Sequence, residues 1–217
     1  MIHTEKKNGK RRDFLRILFP ERCPLCDGLL KRREGPVCTA CRGKEQGSIL
    51  PFPDGFAVFP YSGIYRDAVR RFKYSGRPSY ASFFTEAILL AGGARIRSWD
   101  PEWIIPVPIH PARRRERGYN QAEEIAQRLA EALRVPCKKN AVYRKRDTLP
   151  QNGLSPEERR RNLAGAFGAA QGIRFPRRVL LVDDIYTTGS TAQELGKLLR
   201  AHGAEEIHVV CVCVALS

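Results

Sequence analysis

The chain has 217 residues, enough to bury one full core and carry an appendage. No apolar run reaches the length of a membrane span, and seven cysteines do not make an even disulfide set. A membrane-embedded chain and a disulfide-stapled secreted domain are therefore excluded, and a reducing compartment, the cytoplasm, is expected. Lys and Arg number 38 against 23 Asp and Glu, for a net charge of +15 and a pI near 9.9. The excess is uneven: residues 1–50 carry 12 basic and 6 acidic residues, 107–162 carry 14 and 7, and 163–217 carry 5 and 5. A basic surface of this size attracts nucleic acid, phosphorylated ligands or anionic lipid.

Residues 1–13 are polar and charged without periodicity and are expected to form a disordered basic tail. Asp13 is placed to cap a short helix over Phe14–Phe19, which Pro20 ends. That apolar stretch is broken by Arg16 and is too short for a signal peptide. Cys23-Pro24-Leu25-Cys26 and Cys38-Thr39-Ala40-Cys41 follow, separated by an 11-residue loop. Each C-x-x-C presents two thiolates to one ion, and two such knuckles complete a tetrahedral four-cysteine zinc site. With four sulfur ligands no position stays open to substrate, so the metal is structural. Residues 14–50 are read as this module. Leu29–Glu34 is expected to form a hairpin with Lys31, Arg32 and Arg33 at its tip.

Gly43–Asp54 reads as a linker and Phe56–Tyr61 as an edge strand, because Pro60 removes a ladder donor. Ile64, Ala68, Val69 and Phe72 give a helical face closed by Lys73-Tyr74-Ser75-Gly76. Lys73 and Arg77 are solvated cations with a secondary prospect as phosphate contacts. A longer helix over Ser79–Ala91 is expected to end at Gly92-Gly93. Trp103–Pro108 is a strand running into a loop that carries His110, Arg113, Arg114, Arg115 and Arg117, followed by Gly118, Tyr119 and Asn120. Asn120 with Glu123 three residues on has the form of a capping box. Cys137 opens a short strand through Ala141–Tyr143. A long loop through Arg144–Gly153 then leads to a helix N-cap at Ser155, with Arg159 and Asn162 in its first turns before Leu163–Phe167; this basic excursion is read as a lid.

The most informative stretch is Val179–Thr191. Val179-Leu180-Leu181-Val182 reads as a buried strand, with Asp183 and Asp184 at its carboxyl end. Thr187, Thr188, Gly189, Ser190 and Thr191 then lead into a helix with Leu195, Leu198 and Leu199 on one face. Strand, polar loop and helix start make a phosphate cradle of converging N–H groups and hydroxyls. Two carboxylates beside it suit either vicinal sugar hydroxyls or a phosphate-bound Mg²⁺. No Gly-Lys-Ser/Thr follows, and G-x-G-x-x-G is absent, which excludes the common nucleotide motifs. The last strand, Ile207–Leu216, is nearly all apolar, with Cys211 and Cys213 as core thiols.

The stretch at 182–191 resembles the ribose-phosphate signature of type I phosphoribosyltransferases, which bind phosphoribosyl pyrophosphate (PRPP). Leu18-Phe19-Pro20, Val107-Pro108, Arg117-Gly118-Tyr119-Asn120-Gln121, Gln151-x-x-Leu154 and Arg159-x-x-Asn162 run in order with it. Together they resemble the ComF (ComFC-like) competence family, a zinc ribbon joined to a phosphoribosyltransferase-like body. The resemblance implies an α/β fold with an open, mostly parallel sheet spanning residues 51–217, with a hood and first helices in 51–98 and the core in 99–217. It implies that Asp183 and Asp184 are catalytic and hold the ribose hydroxyls, and that residues 187–191 hold the 5′-phosphate. Arg113, Arg117, Gly118, Tyr119 and Asn120 would bind pyrophosphate, and Arg144, Gln151, Arg159 and Asn162 would form the lid. The cofactors implied are structural zinc, held by Cys23, Cys26, Cys38 and Cys41, and Mg²⁺ with PRPP. Partners implied are an unidentified acceptor, single-stranded DNA, and competence proteins such as a DNA-translocating helicase, with a peripheral place at the inner face of the membrane. The competing expectation is a single-stranded-DNA-binding accessory protein whose PRPP site senses or is a relic.

Overall fold

The computed structural model describes residues 20–31, 34–146 and 156–215, without the side chains of Pro156, Arg159 and Arg160. The segment expected to form the helix at 14–19, the loop tip Arg32-Arg33 and the lid residue Gln151 lie outside the described residues. The chain divides into two compact units, Met1–Glu45 and Gln46–Ser217.

In the first unit an antiparallel bridge pairs Arg22 with Leu29. Asp27 takes a left-handed turn at φ 63°, and the Cys23 N–H donates to the Gly28 carbonyl at 2.8 Å. A single 3-10 turn, Thr39–Cys41, carries the second knuckle. Glu34 holds it in place by accepting from the Thr39 hydroxyl at 2.7 Å.

The second unit is built on a five-stranded sheet of order β1-β2-β7-β6-β3. Its strands are β1 (Leu50–Phe52), β2 (Gly55–Pro60), β3 (Trp103–Pro106), β6 (Arg178–Tyr186) and β7 (Glu206–Val214). All pair in parallel except β1, which turns back on β2. The expected linker therefore contains a strand, and β2 lies inside the sheet instead of at its edge. Pro60 is tolerated because Val58 already turns its carbonyl outward to Ser48, and Pro60 faces the same way beyond the end of β1, whose pairing stops at Ala57.

The helices are α1 (Gly63–Tyr74), α2 (Tyr80–Ser98), α3 (Pro111–Arg117), α4 (Gln121–Leu133), α5 (Pro156–Leu163) and α6 (Ser190–Ala201). Odd-numbered core positions Val179, Leu181, Val209 and Cys211 cluster with Leu195 and Leu199 of α6. The opposite face meets α2, where Trp99 stacks on His208 at 4.3 Å. There α2 runs straight through Gly92-Gly93, where the sequence predicts its end. A Cβ on Gly92 would fall 2.1 Å from Phe56 Cζ, so this glycine permits close helix–sheet contact and does not stop the helix.

Three further expectations are corrected. The arginine-bearing segment after β3 is a helix, α3, closed by Gly118 at φ 81°. Cys137 does not open the next strand; it makes a lone parallel bridge to Ile104, and β4 (Val142–Arg144) begins five residues later. Helix α5 stops at Leu163, where Gly165 turns left-handed at φ 63°, and β5 (Phe167–Ala169) pairs antiparallel with β4.

Candidate functional site

The carboxyl ends of β2, β3, β6 and β7 share one edge of the sheet, where open α/β folds place ligands. Strand β6 is longer than its apolar run, because β7 continues beside it: Asp183 pairs with Cys211, Ile185 with Cys213 and Tyr186 with Val214. Asp183 and Asp184 are thus held in extended backbone at the carboxyl edge of the sheet. Asp183 Oδ1 accepts from the Asp184 N–H at 2.8 Å. Burial, then the Asp184 charge, push the Asp183 carboxyl up to about 7; the Asp184 N–H, Lys73 and Arg144 pull the other way.

Asp184 is not open. Lys73 Nζ lies 2.9 Å from its Oδ1, with the two side chains 17% and 13% exposed. Lys73 is thereby a buried partner of the aspartate pair instead of a solvated cation. Burial opposes its charge, but the neighbouring Asp184 and Asp183 carboxylates outweigh that and raise its pKa. The sequence pattern undervalues Lys73 because its partner lies 111 positions away in the chain.

After Tyr186, Thr187 and Thr188 lead to Gly189, the left-handed N-cap of α6 at φ 73°. A Cβ there would meet the Tyr186 hydroxyl at 2.4 Å, so the cap admits only glycine without rearrangement. The Tyr186 ring stacks on Phe52 at 3.7 Å, fixing the floor of the loop. Thr188 Oγ1 and the buried Ser190 Oγ share a hydrogen bond of 2.8 Å. With no side chain on the cap residue, the first turn of α6 directs its N–H groups into the loop.

The turn from α3 to α4 mixes ligand-facing and supporting groups. His110 caps α3 by accepting from the Ala112 N–H at 3.3 Å. Arg114 pairs with Glu123 at 2.7 Å and Lys139 with the same carboxylate at 3.4 Å. Glu123 is therefore taken, and the expected capping box forms only on the Asn120 side. Asn120 Oδ1 accepts from the Ala122 N–H at 3.1 Å, and its Nδ2 donates to the Val107 carbonyl at 3.0 Å. Tyr119 donates its hydroxyl to the Phe72 carbonyl, which also accepts from Gln121 Nε2 at 3.2 Å. This clamp grips the last turn of α1 and sets Lys73 against Asp184; neither Tyr119 nor Gln121 is legible as a clamp from spacing.

Arg117 lies over the Tyr74 ring at 4.9 Å and donates to its hydroxyl at 3.2 Å. It is close enough to Lys73 for the two charges to repel. Arg113 is half-buried on α3 and Gly118 is exposed at its cap. Arg144 reaches Asp183 electrostatically from β4 while packing over Phe167 at 5.6 Å. Asn162 is half-buried on α5. Lys73, Asp183, Asp184, Arg117 and Arg144 thus converge, whereas Tyr119 and Asn120 spend their side chains on support.

In the first unit the sulfurs of Cys23, Cys26, Cys38 and Cys41 all lie within 4.8 Å of one another and can hold a metal ion. The Cys38 N–H donates to Cys23 Sγ at 3.4 Å, as backbone donors do at thiolate ligands. All seven cysteines are free.

A phosphoribosyl transferase domain model matches residues 115–217. Competence protein F of Haemophilus influenzae is 51% identical over 201 residues, covering 85% of this chain and 88% of that protein. The chain belongs to the ComF family of competence proteins. Another relative, the DNA utilization protein YhgH of Escherichia coli, is 32% identical over 197 residues, covering 89% of this chain and 84% of its own. Among solved structures, a purine phosphoribosyltransferase from Pyrococcus horikoshii aligns at 21% identity and a TM-score of 0.39, over 59% of this chain and 72% of that one. This ComF-family chain carries an α/β domain with the open, mostly parallel sheet of the type I phosphoribosyltransferases, preceded by a four-cysteine module. Among the described residues no helix is long and apolar enough to cross a membrane.

Proposed function

We propose that this protein binds PRPP with Mg²⁺ and transfers its phosphoribosyl group to an acceptor, releasing pyrophosphate. The observation that carries this reading is the adjacent Asp183–Asp184 pair at the end of β6, one loop before a helix start capped by Gly189. The pair accepts hydrogen bonds from the two ribose hydroxyls, and the hydroxyls and N–H groups of 187–191 hold the 5′-phosphate. Arg113 and Arg117, with the backbone at Gly118–Asn120, hold the leaving pyrophosphate. Arg144 on β4 and Asn162 on α5 help to exclude water from the bound substrate.

As the C1–oxygen bond to pyrophosphate breaks, positive charge develops on the ribose. Asp184, together with Asp183 once its proton is lost, stabilises that charge; the acceptor's lone pair forms the new C1 bond as pyrophosphate leaves, and the acceptor's proton passes to solvent. A Mg²⁺ bound with PRPP would offset the pyrophosphate charge, and the carboxylates of Asp183 and Asp184 are the oxygen donors that would face it. Zinc is the metal that suits the four cysteines: Zn–S bonds of about 2.3 Å put tetrahedral sulfurs roughly 3.8 Å apart, and the Cys26–Cys38 sulfurs are at 3.5 Å. The free thiols and the PRPP requirement support a cytoplasmic setting.

A second reading, single-stranded DNA binding, draws on the net charge of +15 and on exposed Arg114 and Arg115. The test that separates them is pyrophosphate release from PRPP with candidate bases or amines, with and without single-stranded DNA. Acceptor-dependent release, lost in Asp184→Asn, supports transfer. DNA binding with no release under any acceptor supports the second reading.

A further inference from the structure

Lys73 is the cation nearest the ribose seat, and it is committed: its ammonium sits 2.9 Å from Asp184 in a pair almost closed to solvent. Its placement is set from outside the pair. The Phe72 carbonyl, one residue back, is clamped by the Tyr119 hydroxyl and by Gln121 at 3.2 Å. One residue on, Tyr74 lies under the Arg117 guanidinium. Two cations from separate elements are therefore held side by side, one of them spent on the carboxylate that a ribose hydroxyl must reach.

A ribose hydroxyl that takes over Asp184 Oδ1, the oxygen Lys73 holds, displaces the ammonium into a largely dry position. Only a ligand that brings its own negative charge to the mouth of the ribose seat gives that ammonium a new partner. PRPP brings a pyrophosphate at C1, on the Arg117 side; ribose 5-phosphate brings only a hydroxyl there. Resting on the PRPP reading above, we propose that Lys73 makes the site select pyrophosphate-bearing ribose phosphates over ribose 5-phosphate, by exchanging Asp184 for the pyrophosphate. It acts as a specificity-determining residue through the carboxylate it blocks as well as through the anion it meets. Burial alone would disfavour its charge, but the neighbouring Asp184 and Asp183 carboxylates outweigh burial and raise its pKa above the ordinary lysine value.

Isothermal titration of PRPP and of ribose 5-phosphate, each with Mg²⁺, into the full chain tests this in wild type, Lys73→Gln and Lys73→Arg. In Lys73→Gln the ribose 5-phosphate affinity should rise about tenfold, since no pair has to open, while PRPP affinity falls by about the same factor. Lys73→Arg should keep the wild-type preference to within roughly threefold. Equal weakening of both ligands, or weaker PRPP with unchanged ribose 5-phosphate, overturns the exchange and leaves the PRPP site standing. A wild-type protein that binds neither ligand overturns the PRPP site as well. A variant-free measurement accompanies these: NMR of isotope-labelled lysine should show the Lys73 side-chain signal move on addition of PRPP, and an unmoved signal in the bound complex contradicts the exchange.

Discussion

Replacing Asp183 by Asn should stabilise the protein at pH 8 even as it disables the ribose seat. The carboxyl titrates at about 7 in the folded chain against an ordinary value of 3.8, chiefly because of burial and then Asp184. Between those values the native state holds a proton that the unfolded chain has released. Unfolding free energy therefore falls as pH rises through that window, and above it the full penalty of a buried second carboxylate is present. At 1.36 kcal/mol per unit the ceiling is about 4 kcal/mol. That ceiling already contains the opposing pull of Lys73 and the Asp184 N–H; the carboxyl borders an open crevice whose solvent screens much of the remainder, so a gain of about 1–2 kcal/mol is expected at pH 8. Asn keeps an oxygen for the Asp184 N–H, which is now donated at 2.8 Å. Equilibrium urea unfolding of both proteins at pH 8 and pH 5 reads the effect, and the advantage should shrink by more than half at pH 5. A variant less stable than wild type at pH 8, or equally advantaged at both pH values, would refute the electrostatic account.

Gly92→Ala places a methyl 2.1 Å from the Phe56 ring; the urea midpoint should fall by the equivalent of about 1–3 kcal/mol with an unchanged slope. Tyr119→Phe removes the hydroxyl donated to the Phe72 carbonyl. It should cost about 1 kcal/mol in the same assay and weaken PRPP binding severalfold by loosening Lys73. Wild-type protein should carry one zinc per chain by elemental mass spectrometry, and Cys23→Ser with Cys41→Ser should carry none. Without its metal the first unit should be cleaved by protease up to Glu45, since a segment of this size does not fold without an ion.

The legible parts of the chain are those whose signals are local. The acidic pair, the glycine-capped helix start, the two knuckles and the Asn120 cap each sit within a short stretch of sequence and carry their own geometry. The parts that mislead depend on partners distant in sequence. Gly92 reads as a stop until Phe56 is packed against it. Pro60 marks an edge until Val58 is seen to share its outward direction with β1 ending short. Lys73 reads as a surface cation until Asp184 arrives from β6, and the contacts by which Tyr119 and Asn120 brace α1 and the end of β3 leave no mark in the sequence. The arginine segment reads as a loop because its charges mask any apolar face, yet Pro111 at its first turn and Gly118 after its last are helix boundary signals present in the sequence.

The most direct test of the central claim is calorimetric titration of Mg²⁺ and PRPP into the wild-type chain and into Asp183→Asn with Asp184→Asn. Saturable binding at one site per chain is predicted for the wild type and none for the double variant, with the variant still folded. Undiminished PRPP binding by the double variant would contradict the claim, because the ribose would then be held somewhere other than the end of β6.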